Sequence, residues 1–191
     1  MRHLIAVATG IALLATAGEA GAQGRWSIEA SGGAAFATEK LGGADLGTGI
    51  GLEMNARYRF MPHLAIYGGW DWHHFPLDEP VGGDMDVEDT GYAFGLRFEH
   101  PLAGRVAGWL RFGGTANHLE LENGDGDIIS DSGHGLGWEA GAGLAVPVGS
   151  RVMLTPGARY RALSRDMEVG TVTTAADLRY VAVGMGIAYT F

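Results

Sequence analysis

Three groups of side chains in this 191-residue chain have the makings of a reactive site. Asp71 stands close to His73 and His74. Ser130, Ser132 and His134 follow one another at alternate positions, with His118 upstream. A hydroxyl nucleophile needs a base, and the base needs a group to orient it, so these residues hold the parts of a hydrolytic or acyl-transfer centre. No motif fixes their spacing, and no catalytic residue is assigned. The stretch Asn123-Gly-Asp-Gly-Asp127 is rich in oxygen donors, as a calcium loop is. It lacks the glycine placement and terminal Glu of an EF-hand, so neither metal ligands nor a cofactor are assigned. Asp71 and four further charges, Glu53, Arg111, Glu139 and Arg159, are set among apolar and glycine-rich residues. What they do depends on the elements that carry them.

Those elements alternate with period 2, the signature of β-strands. Ile50, Leu52, Met54, Ala56, Tyr58 and Phe60 share one face, and Gly51, Glu53, Asn55, Arg57 and Arg59 share the other. Leu64, Ile66, Trp70 and Trp72 oppose Tyr67, Asp71 and His73. Tyr92, Phe94, Leu96 and Phe98 oppose Gly91, Gly95, Arg97 and Glu99. Val106, Leu110 and Phe112 oppose Trp109, Arg111, Thr115 and Asn117. The same alternation runs from Leu136 to Val146 around Glu139, and from Val152 to Arg161 with Thr155, Arg159 and Arg161 on one face. A weaker first strand, about 25–37, carries Trp26, Ile28, Ala30 and Phe36 on one face. The last runs through Val181, Val183, Met185, Ile187, Tyr189 and Phe191. Eight strands are expected, an even number.

Residues 1–22 are set apart from this pattern. A short positive start, an apolar run from Leu4 to Ala17 and a small-x-small site at Ala20-Gly21-Ala22 read as a secretory signal peptide. The mature chain, 23–191, is then a single domain. It contains no cysteine, so neither a disulfide framework nor a lipid attached through cysteine is available. Removing Arg2 and Glu19 leaves 12 basic and 21 acidic side chains, a net −9. No mature stretch has the 18 consecutive apolar residues of a membrane helix.

Short connections at 61–63, 100–104 and 147–150 alternate with long polar ones near 38–47, 76–89, 122–133 and 164–177. That is the layout of a transmembrane barrel with tight periplasmic turns and four longer extracellular loops. Lipid also accounts for the polarity, with the large apolar face outward and the charged face inward. In hydrocarbon every backbone polar group must pair, which strands achieve only in a closed barrel. The expected fold is all-β, an eight-stranded antiparallel up-and-down transmembrane β-barrel.

The chain resembles the OmpA/OmpX-type outer-membrane β-barrel family over the whole mature length. In that family the last strand ends on an aromatic residue preceded by alternating apolar positions, which Val183, Met185, Ile187, Tyr189 and Phe191 match. The resemblance implies that these five form the signal read by the barrel-assembly machinery. It also implies location in the outer membrane of a Gram-negative-type cell after export, with outer-membrane lipids and lipopolysaccharide as neighbours. Nothing follows Phe191, so the peptidoglycan-binding domain of larger members is expected to be absent.

The acidic residues concentrate in the long connections: Glu39 and Asp45; Asp78, Glu79, Asp84, Asp86, Glu88 and Asp89; Glu122, Asp125, Asp127 and Asp131; Asp166, Glu168 and Asp177. With only Lys40 and Arg165 against them, the loops are more negative than the whole mature chain, and the barrel wall is net positive. Such a crown repels nucleic acid; it reads as a solvated surface that keeps the outer end soluble, with capture of divalent cations that bridge it to lipopolysaccharide phosphates as the functional alternative. Glu53, Asp71, Arg111, Glu139 and Arg159 fall at similar heights, six to eight residues above the turns. They are expected to form a mid-barrel ion-pair layer closing a lumen that eight strands leave just wide enough for side chains. Trp70, Trp72, Trp138, Tyr92 and Tyr160 are expected in an upper aromatic girdle. Trp26, Tyr58, Phe60, Phe98, Tyr189 and Phe191 are expected in a lower one. The functional expectation is a non-enzymatic barrel with a structural or surface-contact role. Its alternatives are a lipid-modifying enzyme with a rim His/Ser/carboxylate site, a narrow gated ion channel, and a soluble barrel with lipid inside. Oligomeric state is left open.

Overall fold

The computed structural model describes residues 24–78, 85–169 and 172–191; the leader, 1–22, lies outside them. Ten strands run β1 (Trp26–Ala37), β2 (Gly49–Met61), β3 (Leu64–Pro76), β4 (Met85–Ala103), β5 (Val106–Asn123), β6 (Ile128–Asp131), β7 (Gly135–Pro147), β8 (Val152–Leu154), β9 (Gly157–Val169) and β10 (Val172–Thr190). All pairings are antiparallel. Each long strand joins its neighbours in the ring, and β1 closes it by pairing with both β2 and β10.

The ring has eight members because β8 and β9 are one barrel strand in two pieces. Leu154 faces Ile187 and Gly157 faces Gly184, which is a single register. Pro156 has no N–H for the ladder, while its carbonyl still accepts from Leu144 N at 2.9 Å. The sheet therefore stays closed through a proline. The remaining strand, β6, is a hairpin partner that extends β5 at the loop end through Glu120↔Asp131 and Leu121↔Ser130.

One end of the barrel has tight turns, such as the one between β4 and β5, where Gly104 adopts a φ of 57°. The other end differs from the expected layout of long loops. There β4 and β10 each run for 19 residues and β5 for 18, so much of that end is strand. The connection expected over 164–177 is almost entirely a β9–β10 hairpin. Residues 79–84, which include Glu79 and Asp84, lie outside the described residues.

Pleating sorts the side chains. Ile50 and Leu52 are 58% and 53% exposed on the outside, and Glu53 is 5% exposed on the inside. The aromatic residues expected in girdles pack on the outer surface: Trp26 against Tyr58 at 4.9 Å, Tyr189 against Phe191 at 5.3 Å, and Trp138 against Tyr160 at 5.4 Å between ring centroids. The inward face changes character with height. Towards the turns and in the middle it is charged. Towards the loop end it becomes an apolar core of Ala35, Leu41, Phe75, Val87, Leu119, Leu163, Ala176, Leu178 and Tyr180.

Candidate functional site

The lumen is crossed by arginines reaching between strands that are not neighbours. Near the turn end Arg57 contacts Glu99 at 2.5 Å, and Arg97 contacts Glu29 at 3.0 Å and Glu99 at 2.8 Å. Above them Arg111 bridges Glu53 at 3.3 Å and Glu139 at 2.6 Å, and Arg159 reaches Glu53 at 3.0 Å and Glu29 at 3.2 Å. Higher still Arg161 joins Glu139 at 2.9 Å and Asp71. Of the five residues expected to form one layer, Glu53, Arg111, Glu139 and Arg159 are in direct contact. Asp71 meets neither Arg111 nor Arg159 and is tied in through Arg161.

Aromatic rings fill the space between the charges. The Arg97 guanidinium lies 4.5 Å from the Trp109 ring centroid, and that of Arg111 lies 4.9 Å from Tyr67. Glycines make room for the rings. A Cβ on Gly95 or Gly113 would collide with the Tyr67 hydroxyl, and one on Gly143 or Gly157 with the Trp109 indole. This is one physical reason for the glycine-rich inner wall.

Spacing alone missed Glu29, Arg57, Arg97, Glu99, Asp89 and Arg161 as members of this network. The signal was the inward alternation itself, because each sits an even number of positions from another inward polar residue. Two residues assigned to loops are corrected. Asp89 is fully buried in the lumen, where it accepts hydrogen bonds from Asn117 Nδ2 at 2.7 Å and the Tyr180 hydroxyl at 2.7 Å. Arg165 is buried on β9 and donates to the carbonyls of Asn117, Leu136, Gly135 and Ser164.

Among the described residues, two lumen cavities of about 10 Å³ each, beside His73 and beneath Tyr67, have room for about one water apiece. Above them Phe75, Val87, Leu119, Leu163 and Leu178 meet across the lumen.

The outer surface of the loop end carries a second cluster. His74, Glu88, Glu120 and Asp131 stand directly opposite one another across β3, β4, β5 and β6, and Asp86 faces Glu122. His74 lies 3.5 Å from Glu88 and 3.6 Å from Asp86. His118 lies 3.3 Å from Asp131 and 3.7 Å from Glu120, with its ring stacked on His134 at 4.6 Å. Like charges directly opposite are unfavourable on a sheet. Accordingly Glu122 holds its proton more tightly than an ordinary glutamate, through partial burial and then the Glu88 and Glu120 charges. Carboxylate oxygens of Glu88, Glu120 and Glu122 lie within 4.8 Å of one another.

The other reactive-looking groups serve local structure. Ser132 accepts a hydrogen bond from Leu119 N–H and gives its own to the Gly133 carbonyl. Asn123 Oδ1 accepts from the N–H groups of Asp125 and Asp127, which makes Asn123–Asp127 a tight hairpin turn. In β10, Val183, Met185, Ile187 and Tyr189 point outward. Phe191 N–H donates to the Trp26 carbonyl at 3.0 Å on the closing seam.

A closed eight-stranded ring with a hydrocarbon exterior and a charged, filled interior defines a membrane-spanning β-barrel. No helix among the described residues is long and apolar enough to cross a membrane; here strands do so. The family described as "Outer membrane protein beta-barrel domain" matches residues 4–191, and the chain belongs to it. It is an outer-membrane protein. Among solved structures it is similar to Neisserial surface protein A, with a TM-score of 0.62 and 20% identity over 87% of this chain and 97% of that one. It is also similar to OprG from Pseudomonas aeruginosa, at 0.55 and 14% over 88% and 98%. The outer membrane protein AlkL, solved in lipid bilayers, scores 0.55 at 15% identity over 92% and 94%. At these identities the likeness is one of fold. No curated protein matches the chain.

Proposed function

We propose that this protein is a closed, non-enzymatic barrel that works as a structural or surface-contact element through its acidic extracellular edge. The lumen is the observation that carries this reading. Ion pairs fill its lower and middle parts and an apolar core covers them, leaving the outer edge as the surface available to partners. The row His74–Glu88–Glu120–Asp131 begins just above Trp72, whose indole N–H donates to Glu88 at 2.8 Å. It therefore faces sideways at the height of the outer-leaflet headgroups. There its carboxylates suit divalent cations that bridge them to lipopolysaccharide phosphates.

Two features favour this over an enzyme. The Ser132 hydroxyl is committed to a neighbouring carbonyl, and His73 is 1% exposed, beyond reach of a lipid substrate. In the same reading residues 1–22 direct export and are removed, leaving 23–191. Val183, Met185, Ile187, Tyr189 and Phe191 are then what the assembly machinery reads.

The test uses folded mature protein in planar bilayers and in lipopolysaccharide titrations. No steady conductance is expected. Binding of lipopolysaccharide should need Mg²⁺ and should weaken at least tenfold when Glu88, Glu120 and Glu122 are all changed to Gln. A stable open channel, or binding indifferent to both Mg²⁺ and those glutamates, overturns the proposal.

A further inference from the structure

The upper lumen holds two carboxylates, Asp71 and Asp89, beside two buried arginines, Arg161 and Arg165. Lower down, Glu29, Glu53, Glu99 and Glu139 are met by Arg57, Arg97, Arg111 and Arg159. Asp71 has Arg161, which is shared with Glu139 and Glu53. Among the described residues Asp89 has no ion-pair partner; Asn117 and Tyr180 are neutral donors to it. Arg165, farther up the same face of β9, spends its hydrogen bonds on backbone carbonyls. Asp89 thus relies on arginines that do not touch it, a costly arrangement for a buried carboxylate.

Donor atoms converge at the same place. Asn117 Nδ2 donates to Asp71 Oδ1 at 2.9 Å and to Asp89 Oδ1 at 2.7 Å, holding both carboxylates against one nitrogen. Asp71 Oδ2 and His73 Nδ1 are buried and make no hydrogen bond. The Cδ2–Nε2 edge of the His73 ring lies against Gly51 of β2. Nδ1 therefore sits on the other edge, towards β4, where Asp89 is the direct cross-strand neighbour of His73. One ligand atom each from Asp71, His73 and Asp89 lies within 4.8 Å of the others.

We propose that Asp71, His73 and Asp89 form a buried cation site for one divalent first-row transition ion, distinct from the acidic outer edge. An imidazole nitrogen beside carboxylate oxygens favours zinc, iron or nickel over magnesium or calcium, which prefer oxygen alone. Zinc ligands about 2.1 Å from the ion stand about 3.4 Å apart in a tetrahedron. The three donors, within 4.8 Å of one another, thus need to draw together by no more than about 1.4 Å as the ion enters, a movement that rotation of the aspartate carboxylates supplies. The ion would give Asp89 a positive partner in direct contact and pin β3 to β4. With Phe75, Leu178 and Tyr180 above and ion pairs below, it enters during folding and leaves slowly.

Zinc is the probe. Changing His63, His74, His100, His118 and His134 to Gln leaves His73 as the one histidine of the mature chain, which removes the outer-edge histidines from the measurement. This variant is folded in detergent with Zn²⁺, passed through gel filtration without free metal, and analysed for zinc. About one zinc per chain is expected, retained through brief EDTA treatment and accompanied by a higher melting midpoint. Adding His73→Gln or Asp89→Asn should reduce retained zinc at least tenfold while the heat-modifiable gel shift of the folded barrel persists. Should His73→Gln fail to fold, Asp89→Asn, which keeps the side-chain shape, decides. Absence of retained zinc, or full retention in the variants, overturns the site. A zinc-free protein whose stability falls as pH rises, with Asp89→Asn abolishing that dependence, overturns it in favour of a trapped proton.

Discussion

The Tyr67 hydroxyl of β3 donates a hydrogen bond of 2.6 Å to Glu139 Oε1 of β7, across a lumen whose wall places β4 and β5 between them. Arg111 lies over the same tyrosine ring and contacts the same glutamate. One aromatic ring, one carboxylate and one guanidinium thus span the barrel, and the middle of the interior is a packed polar core. Its members hold one another in place, because each buried charge depends on a partner carried by a distant strand.

Arg111→Ala should therefore be among the most damaging single changes. It leaves Glu53 to Arg159 and Glu139 to Arg161 in a nearly dry interior with one positive charge fewer, and breaking a buried pair costs on the order of 3–5 kcal/mol. Leu110→Ala, one residue away but facing lipid, should cost clearly less because lipid refills the space. Urea unfolding in detergent micelles checks both; equal losses would count against a paired lumen.

The apolar core at the loop end should behave like the interior of a soluble protein. Phe75→Ala and Leu178→Ala each leave a cavity that lipid cannot reach, for which about 2–5 kcal/mol is expected. Changes at Phe94 or Leu96, on the outside of β4, should be milder. The melting midpoint of the heat-modifiable form separates the two sets.

Deleting Phe191, or replacing it with Asp, is expected to block assembly in cells. The purified variant should still fold in detergent, since Phe191 adds only two backbone hydrogen bonds at the end of the seam, to the Trp26 carbonyl and from the Gly24 N–H. Normal insertion in cells would remove the assembly role proposed for Val183, Met185, Ile187, Tyr189 and Phe191.

Glu122 supplies a pH dependence with a definite sign. Its proton is held above the ordinary glutamate value of 4.5 by partial burial, Glu88 and Glu120. A raised carboxyl favours the folded state below that ordinary value, and the advantage disappears as pH rises through the elevated one. In chelator, Glu122→Gln should raise the melting midpoint at neutral pH and flatten its fall with rising pH. Mg²⁺ should do the same for the unmodified protein. A midpoint unmoved by either change would mean that the crowding of Glu88, Glu120 and Glu122 is fully relieved by solvent.

The outward face of the barrel predicts folding only in detergent or lipid. Side chains such as Ile50, Leu110, Phe112 and Leu136 are more than half exposed. A folded, monodisperse preparation in plain buffer would contradict the orientation of every strand.

What the sequence determined by itself was the class of fold and the sidedness of its strands. A period-2 pattern assigns each residue to one face. Only lipid outside lets the hydrocarbon face of Ile50, Leu52 and Met54 and the charged face of Glu53, Asn55 and Arg57 belong to the same strand. The strand ends were harder to read, because Phe75, Val87, Leu119, Leu163 and Leu178 keep the inward alternation but replace charge with hydrocarbon. The change in polarity resembled the end of a strand when it was the start of an apolar core. Which carboxylate meets which arginine was decided by tertiary structure alone. Alternation gives a side chain its face and approximate height, but not its direction across the lumen. That direction depends on ring closure, register and the space left by Gly95, Gly113, Gly143 and Gly157. Closure brought Arg161 to Asp71, set Arg111 between Glu53 and Glu139, and drew Asp89 inside from what had read as an acidic loop. Contacts in the lumen join residues up to 130 positions apart, as between Arg159 and Glu29, a separation at which no local pattern in the chain carries information about the partner.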